Sequence, residues 1–416
     1  MNKAVLRPTL NRIEIIDALR GFALAGIVLV HMVEQYLAAP WPEGQMEALV
    51  QGPLDQAVDA IILLIFRGKF FALFSILFGL SFFIQMDRAS RKGTDFKFRF
   101  IWRLIILLGI GYLHHLFYRG DILTTYAILG LFLVPFHHVH QRWIAIGAAV
   151  IFLGLPRYLI FGFYGAGNLL PGFEFVPESP ELLAYFMTLK GGTIWQVFVS
   201  NATEGHLMKA NFQLGVFSRG YLTFGFFLVG LLLGRMRFFE HIDRYRSLLK
   251  KVLIGSVAGM IVLIGVAVFS FSGQGEAGNP GLESWMAMAG LTIFDLFNLL
   301  TTAVIVAAFT LLYRRPGFER WMNHLAPYGR TALTNYVLQS LIGTAIYYGW
   351  GFGLLGEIRN VYAFLLAIAI ILFQVLTSKW WLNNFKYGPL EWIWRVLTYA
   401  KFFPIMRPKE PAQQLS

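Results

Sequence analysis

Apolar residues fall in long blocks separated by short polar loops. Runs long enough to cross a bilayer as helix, which takes about 20 residues, recur near positions 17–38, 59–86, 99–117, 121–137, 142–163, 211–235, 250–271, 285–313, 328–350 and 361–381. The pattern predicts an all-α, polytopic transmembrane bundle of about ten spans. The fourth block is short, and the fifth carries Pro156 and Arg157 in its outer half. Cations test the count, because cytoplasmic loops collect Lys and Arg. Arg88, Arg91, Lys92, Lys97, Arg99 and Arg103 follow the second block; Arg235, Arg237, Arg244, Arg246, Lys250 and Lys251 follow the sixth; Arg314, Arg315, Arg320 and Arg330 follow the eighth. The alternate loops hold none at 39–58 or 272–284, and only Lys190 and Lys209 at 164–210. This alternation places both termini in the cytoplasm.

Three regions follow: a bundle over 1–381, a long outer loop at about 164–210 within it, and a tail over 382–416. The loop starts rich in Gly and Pro and is long enough to contribute a short helix or a lid. The tail mixes Trp392, Trp394, Phe402 and Phe403 with Lys386, Arg395 and Lys401, the composition of a helix lying in the inner interface. Lys3, Arg7 and Arg12 precede the first block as in a signal peptide, but the block is too long for a signal core and lacks a clear small-residue cleavage site, so it is retained as a helix. No internal repeat is visible, which weakens an inverted-repeat transporter.

Composition sharpens the class. Of 416 residues 57% are hydrophobic and 14% charged, and the net charge is +12. Because the basic residues sit in short loops, the excess reads as a topology signal, and nucleic acid is not expected as a partner. Membrane lipids are; a homo-oligomer is compatible with the pattern. With no cysteine, disulfides and thiolate metal sites are excluded. His137, His138 and His140 have no acidic neighbour, and no metal site is expected there.

Ionisable residues inside spans mark function by default. Arg20 and His31 lie eleven positions apart on the first block, on nearly one helix face and roughly 16 Å apart along it. Asp17 accompanies Arg20 near the inner end. Arg67 and Lys69 fall within the second block among Phe70, Phe71, Phe74 and Phe78; they either pair with Asp55, Asp59 or Asp295 or hold a phosphate or a developing oxyanion. His114, with Asp121 at the next boundary, makes a base and its orienter, unless Asp121 is simply a helix cap. Asn335 and Gln339 share a face and serve either as donors into a cavity or as interhelical hydrogen bonds. Glu204 and His206 form another acid and imidazole pair on the outer side.

Several motifs together carry a resemblance: "DALRGFALAGI" from Asp17, "GKFFALFSILFG" from Gly68 to Gly79, "GYLHHLFYRGDILTTYAILG" from Gly111 to Gly130, "GRTALTNYVLQS" from Gly329 to Ser340 and "GPLEWIWRVLT" from Gly388 to Thr398. Over nearly its whole length the chain resembles the YeiB-like family of bacterial multi-span membrane proteins. More distantly, the Arg20–His31 spacing is similar to the arginine, ten residues, histidine signature of bacterial acyltransferases that acetylate envelope sugars. The opening "IEIIDALRG" resembles that of heparan glucosaminide acetyltransferases. This wider resemblance implies transfer of an acyl group, acetyl in the first instance, from cytoplasmic acyl-CoA to a glycan or small-molecule hydroxyl or amine, within or across the bacterial cytoplasmic membrane.

In that scheme Arg20, Arg103 and Arg330, with Asp17, hold the anionic donor; His31 or His114 is the base; Lys69 or Asn335 donates to the oxyanion. Direct transfer and a transient acyl-histidine both remain open. The rival from another class is a transporter or channel in which Arg67, Lys69 and Asp295 bind or gate an anionic solute.

Overall fold

The computed structural model describes residues 14–165, 169–170, 177, 179–271 and 283–407. Lys3, Arg7, Arg12, most of the Gly- and Pro-rich start of the outer loop and most of the 272–284 loop lie outside them. The described residues are all-helical apart from one isolated bridge between Phe385 and Met406. Six helices are long and apolar enough to cross a membrane, or eight if two bent pairs each count as one.

Helix α1 (Glu14–Val33) is the buried axis, with 72% of its apolar window inside the protein. The second block is a composite: α2 (Pro53–Ile61), a π-helical turn at Ile62–Phe66, and α3 (Lys69–Ser90), joined at Gly68 with φ +84°. Helices α4 (Lys97–Phe117) and α5 (Leu123–Leu133) form a hairpin; α6 (Gln141–Phe152) and α7 (Leu155–Tyr164) are bent by 51°.

The outer loop holds α8 (Pro180–Gly191) and α9 (Ile194–Ala202). Then α10 (Glu204–Leu214) joins α11 (Arg219–Arg235) at a 56° bend. The rest are α12 (Arg246–Phe271), α13 (Trp285–Tyr313), α14 (Pro316–Met322), α15 (Ala326–Arg330), α16 (Ala332–Tyr347), α17 (Asn360–Asn384) and α18 (Pro389–Tyr399). Thus the expected fourth and ninth spans correspond to shorter helices, α5 with a one-turn extension to His137, and α16. Helix α12 leans on α13 and leaves Ile254, Ile261 and Phe269 exposed, as a lipid-facing helix does.

Small residues set two close crossings, as between membrane helices generally. A Cβ on Gly230 of α11 would lie 2.0 Å from the Ile76 carbonyl oxygen of α3, and one on Gly79 would lie 2.0 Å from that of Phe227. Likewise a Cβ on Gly329 would lie 2.0 Å from the Asp17 carbonyl oxygen, and one on Gly21 2.3 Å from that of Leu325. The second crossing brings the "DALRG" and "GRTAL" motifs together and sets Arg20 beside Arg330.

The basic loops meet at one end. Arg237, after α11, bonds Asp87 at the close of α3 at 2.9 Å, and Arg314, after α13, pairs with Asp243. Arg235 donates to the carbonyls of Phe136, His137 and Val139. At the opposite end Arg359 bonds Asp55 at 2.7 Å, Lys190 bonds Glu357 at 2.7 Å, and Gln35 bridges the Ile358 carbonyl and the Gly356 N–H.

Arg157, which interrupts the fifth block, is 2% exposed. It pairs with Asp295 and donates to Thr292 Oγ1 and the Val216 carbonyl, each at 2.7 Å, tying the bend before α11 to α13. Arg157→Met strands the Asp295 carboxylate and is expected to lower stability by about 3 kcal/mol or more. Thermal unfolding in detergent checks this, with Arg157→Met/Asp295→Leu recovering part of the loss; an unchanged single variant would show that the pair supports nothing.

Candidate functional site

Two polar constellations occupy α1, one near each end. At the basic end a cavity of about 270 Å³ is lined by Arg20 of α1, Ser81 of α3, Arg103 of α4, Arg330 of α15 and Tyr336 of α16, with an apolar wall that includes Phe74, Phe78 and Leu107. The three arginines expected to hold a donor therefore line one cavity. Arg20 donates to Asp17 at 2.9 Å and to Ser81 Oγ at 3.2 Å, so Asp17 fixes the guanidinium. Arg103 lies 3.9 Å from the Trp394 ring centroid, and the Trp394 indole N–H donates to the Arg103 carbonyl at 2.8 Å.

Glu391 of α18 also lines the cavity. Its carboxylate accepts from the backbone N–H of Leu333 at 2.7 Å and of Thr334 at 3.1 Å, and from Thr334 Oγ1 at 2.6 Å. It thus caps the first turn of α16, where a carboxylate is favoured by unpaired N–H groups and the helix dipole. Burial pushes its pKa up, against the pull of those hydrogen bonds.

Toward the other end lies the imidazole and tyrosine cluster. His114 Nδ1 is 2.8 Å from Asp121 Oδ1. Asp121 also accepts from the N–H of Leu123 at 3.0 Å, from the N–H of Thr124 at 2.9 Å and from Thr124 Oγ1 at 2.6 Å, and Lys209 Nζ stands 3.2 Å away. The two sequence readings of Asp121, cap and orienter, are one and the same side chain in the fold. With Nδ1–H donated to the carboxylate, the Nε2 lone pair is left uncommitted, and Nε2 is buried without a hydrogen-bonding partner among the described residues.

His31 approaches the same cluster. Its ring lies 5.3 Å from both Tyr36 and Tyr118, and Tyr118 lies 6.2 Å from His114, between the two imidazoles. The chain after α1 takes left-handed φ values at Gln35 (+50°), Tyr36 (+55°) and Ala38 (+53°). Such conformations cost non-glycine residues free energy and persist where surrounding structure demands them. Here the turn folds the Tyr36 ring back onto His31. His31 Nδ1, Tyr36 Oη and both amide atoms of Gln339 are likewise buried without partners among the described residues.

Tyr336 joins the two constellations. It lines the cavity, its ring centroid lies 5.1 Å from that of His114, and its oxygen accepts the Ile122 N–H at 3.1 Å, leaving its own proton to donate.

Other candidates stand elsewhere. Arg67 pairs with Glu34 at 2.6 Å, and Lys69 donates to the Leu63 carbonyl at 2.8 Å, its ammonium 5.7 Å from the Phe297 ring centroid. The expected partners Asp55 and Asp295 are taken by Arg359 and Arg157; the break at Gly68 turns both cations away from the registry of an unbroken helix. Asn335 donates to Thr331 Oγ1 and Ser378 Oγ, each at 2.8 Å, as an interhelical tie. Glu204 accepts from Thr203 and Ser200, while His206 faces His115 at 5.5 Å. His140 Nδ1 accepts the Arg142 N–H at 3.2 Å, capping α6.

Sequence reading missed Tyr36, Tyr118, Tyr336, Lys209 and Glu391. Two signals were available: Tyr336 sits between Asn335 and Gln339, and Glu391 is the one carboxylate in the basic stretch 383–407.

An all-helical bundle of long apolar helices, with a cation-lined cavity between them, defines a multi-pass membrane protein. Residues 233–401 match the family described as "Protein of unknown function (DUF418)". The chain is similar to the uncharacterized protein YxaH of Bacillus subtilis, 28% identical over 97% of this chain and 98% of the relative. It is also similar to an uncharacterized 39.9 kDa protein of Bacillus acidopullulyticus, 27% identical over 96% and 97%, and to the uncharacterized protein YeiB of Escherichia coli, 26% identical over 92% and 95%. Over nearly its whole length the chain is thus similar to YeiB-like proteins.

Proposed function

We propose that this chain is an acyltransferase of the bacterial cytoplasmic membrane that takes an acyl group from cytoplasmic acyl-CoA and delivers it to a hydroxyl or amine acceptor. The observation that carries the reading is the position of Tyr336, which lines the arginine cavity on one side and abuts His114 on the other. A donor with an anionic head and a long arm suits a slot with cations at its mouth and apolar walls. Guanidinium groups bind phosphate oxygens with short, charge-assisted hydrogen bonds, and Arg103 and Arg330 are the groups placed to do so, with Arg20 held by Asp17.

In the transfer step the acceptor O–H or N–H gives its proton to His114 Nε2 as its oxygen or nitrogen attacks the thioester carbonyl. The tetrahedral oxyanion takes a hydrogen bond from Tyr336 Oη. The C–S bond then breaks, and the proton on Nε2 passes to the departing CoA sulfur, so the balance closes without a further reactant. Asp121 holds the imidazole tautomer throughout. Tyr336 takes the role first given to Lys69 or Asn335, because the donors of those two are committed elsewhere.

Calorimetric titration of detergent-purified protein with acetyl-CoA tests the reading. Arg103→Ala and Arg330→Ala are each expected to weaken binding about tenfold, the loss of one charge-assisted contact, with His114→Ala binding as wild type. Absence of binding by folded wild type across several acyl lengths sinks the proposal, and anion flux without CoA release moves the protein to the transporters.

A further inference from the structure

Beside the main cavity lies a second hollow of about 220 Å³, lined by Arg103, Arg330, Leu382, Lys386, Tyr387, Glu391, Trp394 and Arg395. The two share Arg103, Arg330, Glu391 and Trp394, so they are neighbouring chambers with a common wall. Their characters differ: the first is walled mostly by Phe, Leu and Tyr, whereas four of the eight residues around the second are cationic. Glu391 is the one carboxylate among them, and it is engaged by the first turn of α16.

The cations are arranged rather than scattered. Arg395 lies over the Tyr387 ring at 5.1 Å and the Phe403 ring at 4.7 Å, and Arg103 over Trp394 at 3.9 Å. Stacking on aromatic faces fixes a guanidinium plane while leaving its edge for in-plane hydrogen bonds. The Nε atoms of Arg103 and Arg395 are buried without acceptors among the described residues. Segment 385–407 is folded back on itself to form this wall: Lys386 N–H donates to the Ile405 carbonyl at 2.8 Å and the Trp392 indole to the Phe403 carbonyl at 2.8 Å.

We propose that this second hollow is a phosphate subsite, in which Lys386 and Arg395 of the C-terminal segment, with Arg103 and Arg330, take the clustered phosphates of a ligand head group whose arm enters the main cavity. The inference rests on the acyl-CoA reading for the source of the phosphates and not for the anion chemistry, which the lining residues supply. Monovalent anions bind weakly at such a site, because several separated cations reward several linked charges. The C-terminal segment becomes part of the binding machinery rather than a membrane anchor alone.

The test titrates full-length protein in neutral detergent with acetyl-CoA, adenosine 3′,5′-bisphosphate and pyrophosphate, and measures association with vesicles containing phosphatidylglycerol. Three forms are compared: wild type, Lys386→Gln/Arg395→Gln, and Glu391→Gln. Wild type is expected to bind acetyl-CoA and the bisphosphate in competition, the double variant to bind both about tenfold or more weakly, and Glu391→Gln to bind them more tightly. A gain of affinity cannot come from misfolding.

Undiminished acetyl-CoA binding by the double variant overturns the subsite and leaves the acyltransferase reading standing. Binding of pyrophosphate that depends on Lys386 and Arg395, with no binding of acetyl-CoA, upholds the subsite and sinks the acyl-CoA reading, whereas binding of phosphatidylglycerol vesicles alone makes the four cations a lipid-facing patch and overturns the subsite. No binding of any of the four probes by folded wild type overturns both.

Discussion

Replacing His114 with glutamine is expected to reduce acyl transfer by about 10²–10⁴-fold, the range for loss of a positioned general base, while acetyl-CoA affinity stays at the wild-type level. Glutamine keeps roughly the reach of imidazole and can still donate to Asp121, so the cap on α5 survives. What it lacks is a lone pair basic enough to take a proton. The measurement is incorporation of label from [¹⁴C]acetyl-CoA into membranes of cells overproducing each variant, paired with the calorimetric affinity. His31→Gln run alongside decides between the two imidazoles. Label lost only with His31→Gln moves the base to α1, and label retained in both variants removes histidine from the chemistry.

Gly230→Ala is expected to destabilise the bundle by about 3 kcal/mol or more, at the upper end for overpacking. The added methyl would sit 2.0 Å from a backbone oxygen, that of Ile76, and 2.8 Å from the Leu80 nitrogen. A flexible side chain could step aside; two backbones locked in α3 and α11 cannot, so the crossing must open and loosen the packing around Phe227 and Leu231. Gly265→Ala in α12 is the control, because nothing lies within 4 Å of its Cβ position and alanine favours helix over glycine. Equal melting temperatures for the two variants would show that the α3–α11 contact does not support the fold.

Much of the architecture was legible from periodicity and charge. The helical class, the positions of the apolar segments and the gathering of basic loops at one end all follow from run length and Lys/Arg placement. Helix breaks were harder to read. The π turn at Ile62–Phe66 and the bend after Phe152 fall inside long, mainly apolar runs, so run length alone carries no mark of them, although Gly68, Gly154 and Pro156 stand at the joints.

The site was legible by residue type and not by partner. Arg20, Arg103 and Arg330 lie far apart in the chain yet line one cavity, and His114 and Asp121 meet across seven positions. Pairings between distant helices depend on packing order, which no local pattern encodes. Hence Asp295 was offered to Lys69 and belongs to Arg157. The tyrosines escaped because an aromatic ring in an apolar run reads as filler until it is seen packed against an imidazole. The left-handed turn at Gln35–Ala38 has no glycine to announce it.

Tyr336 has a consequence beyond the proposed chemistry. Its phenol ring lines the arginine cavity and packs against His114 of the histidine cluster. A cell that stores energy as a proton gradient cannot tolerate an aqueous thread through such a protein. The ring is therefore also insulation, and trimming it to alanine should show itself as proton leakage, dissipating the membrane potential of energised vesicles.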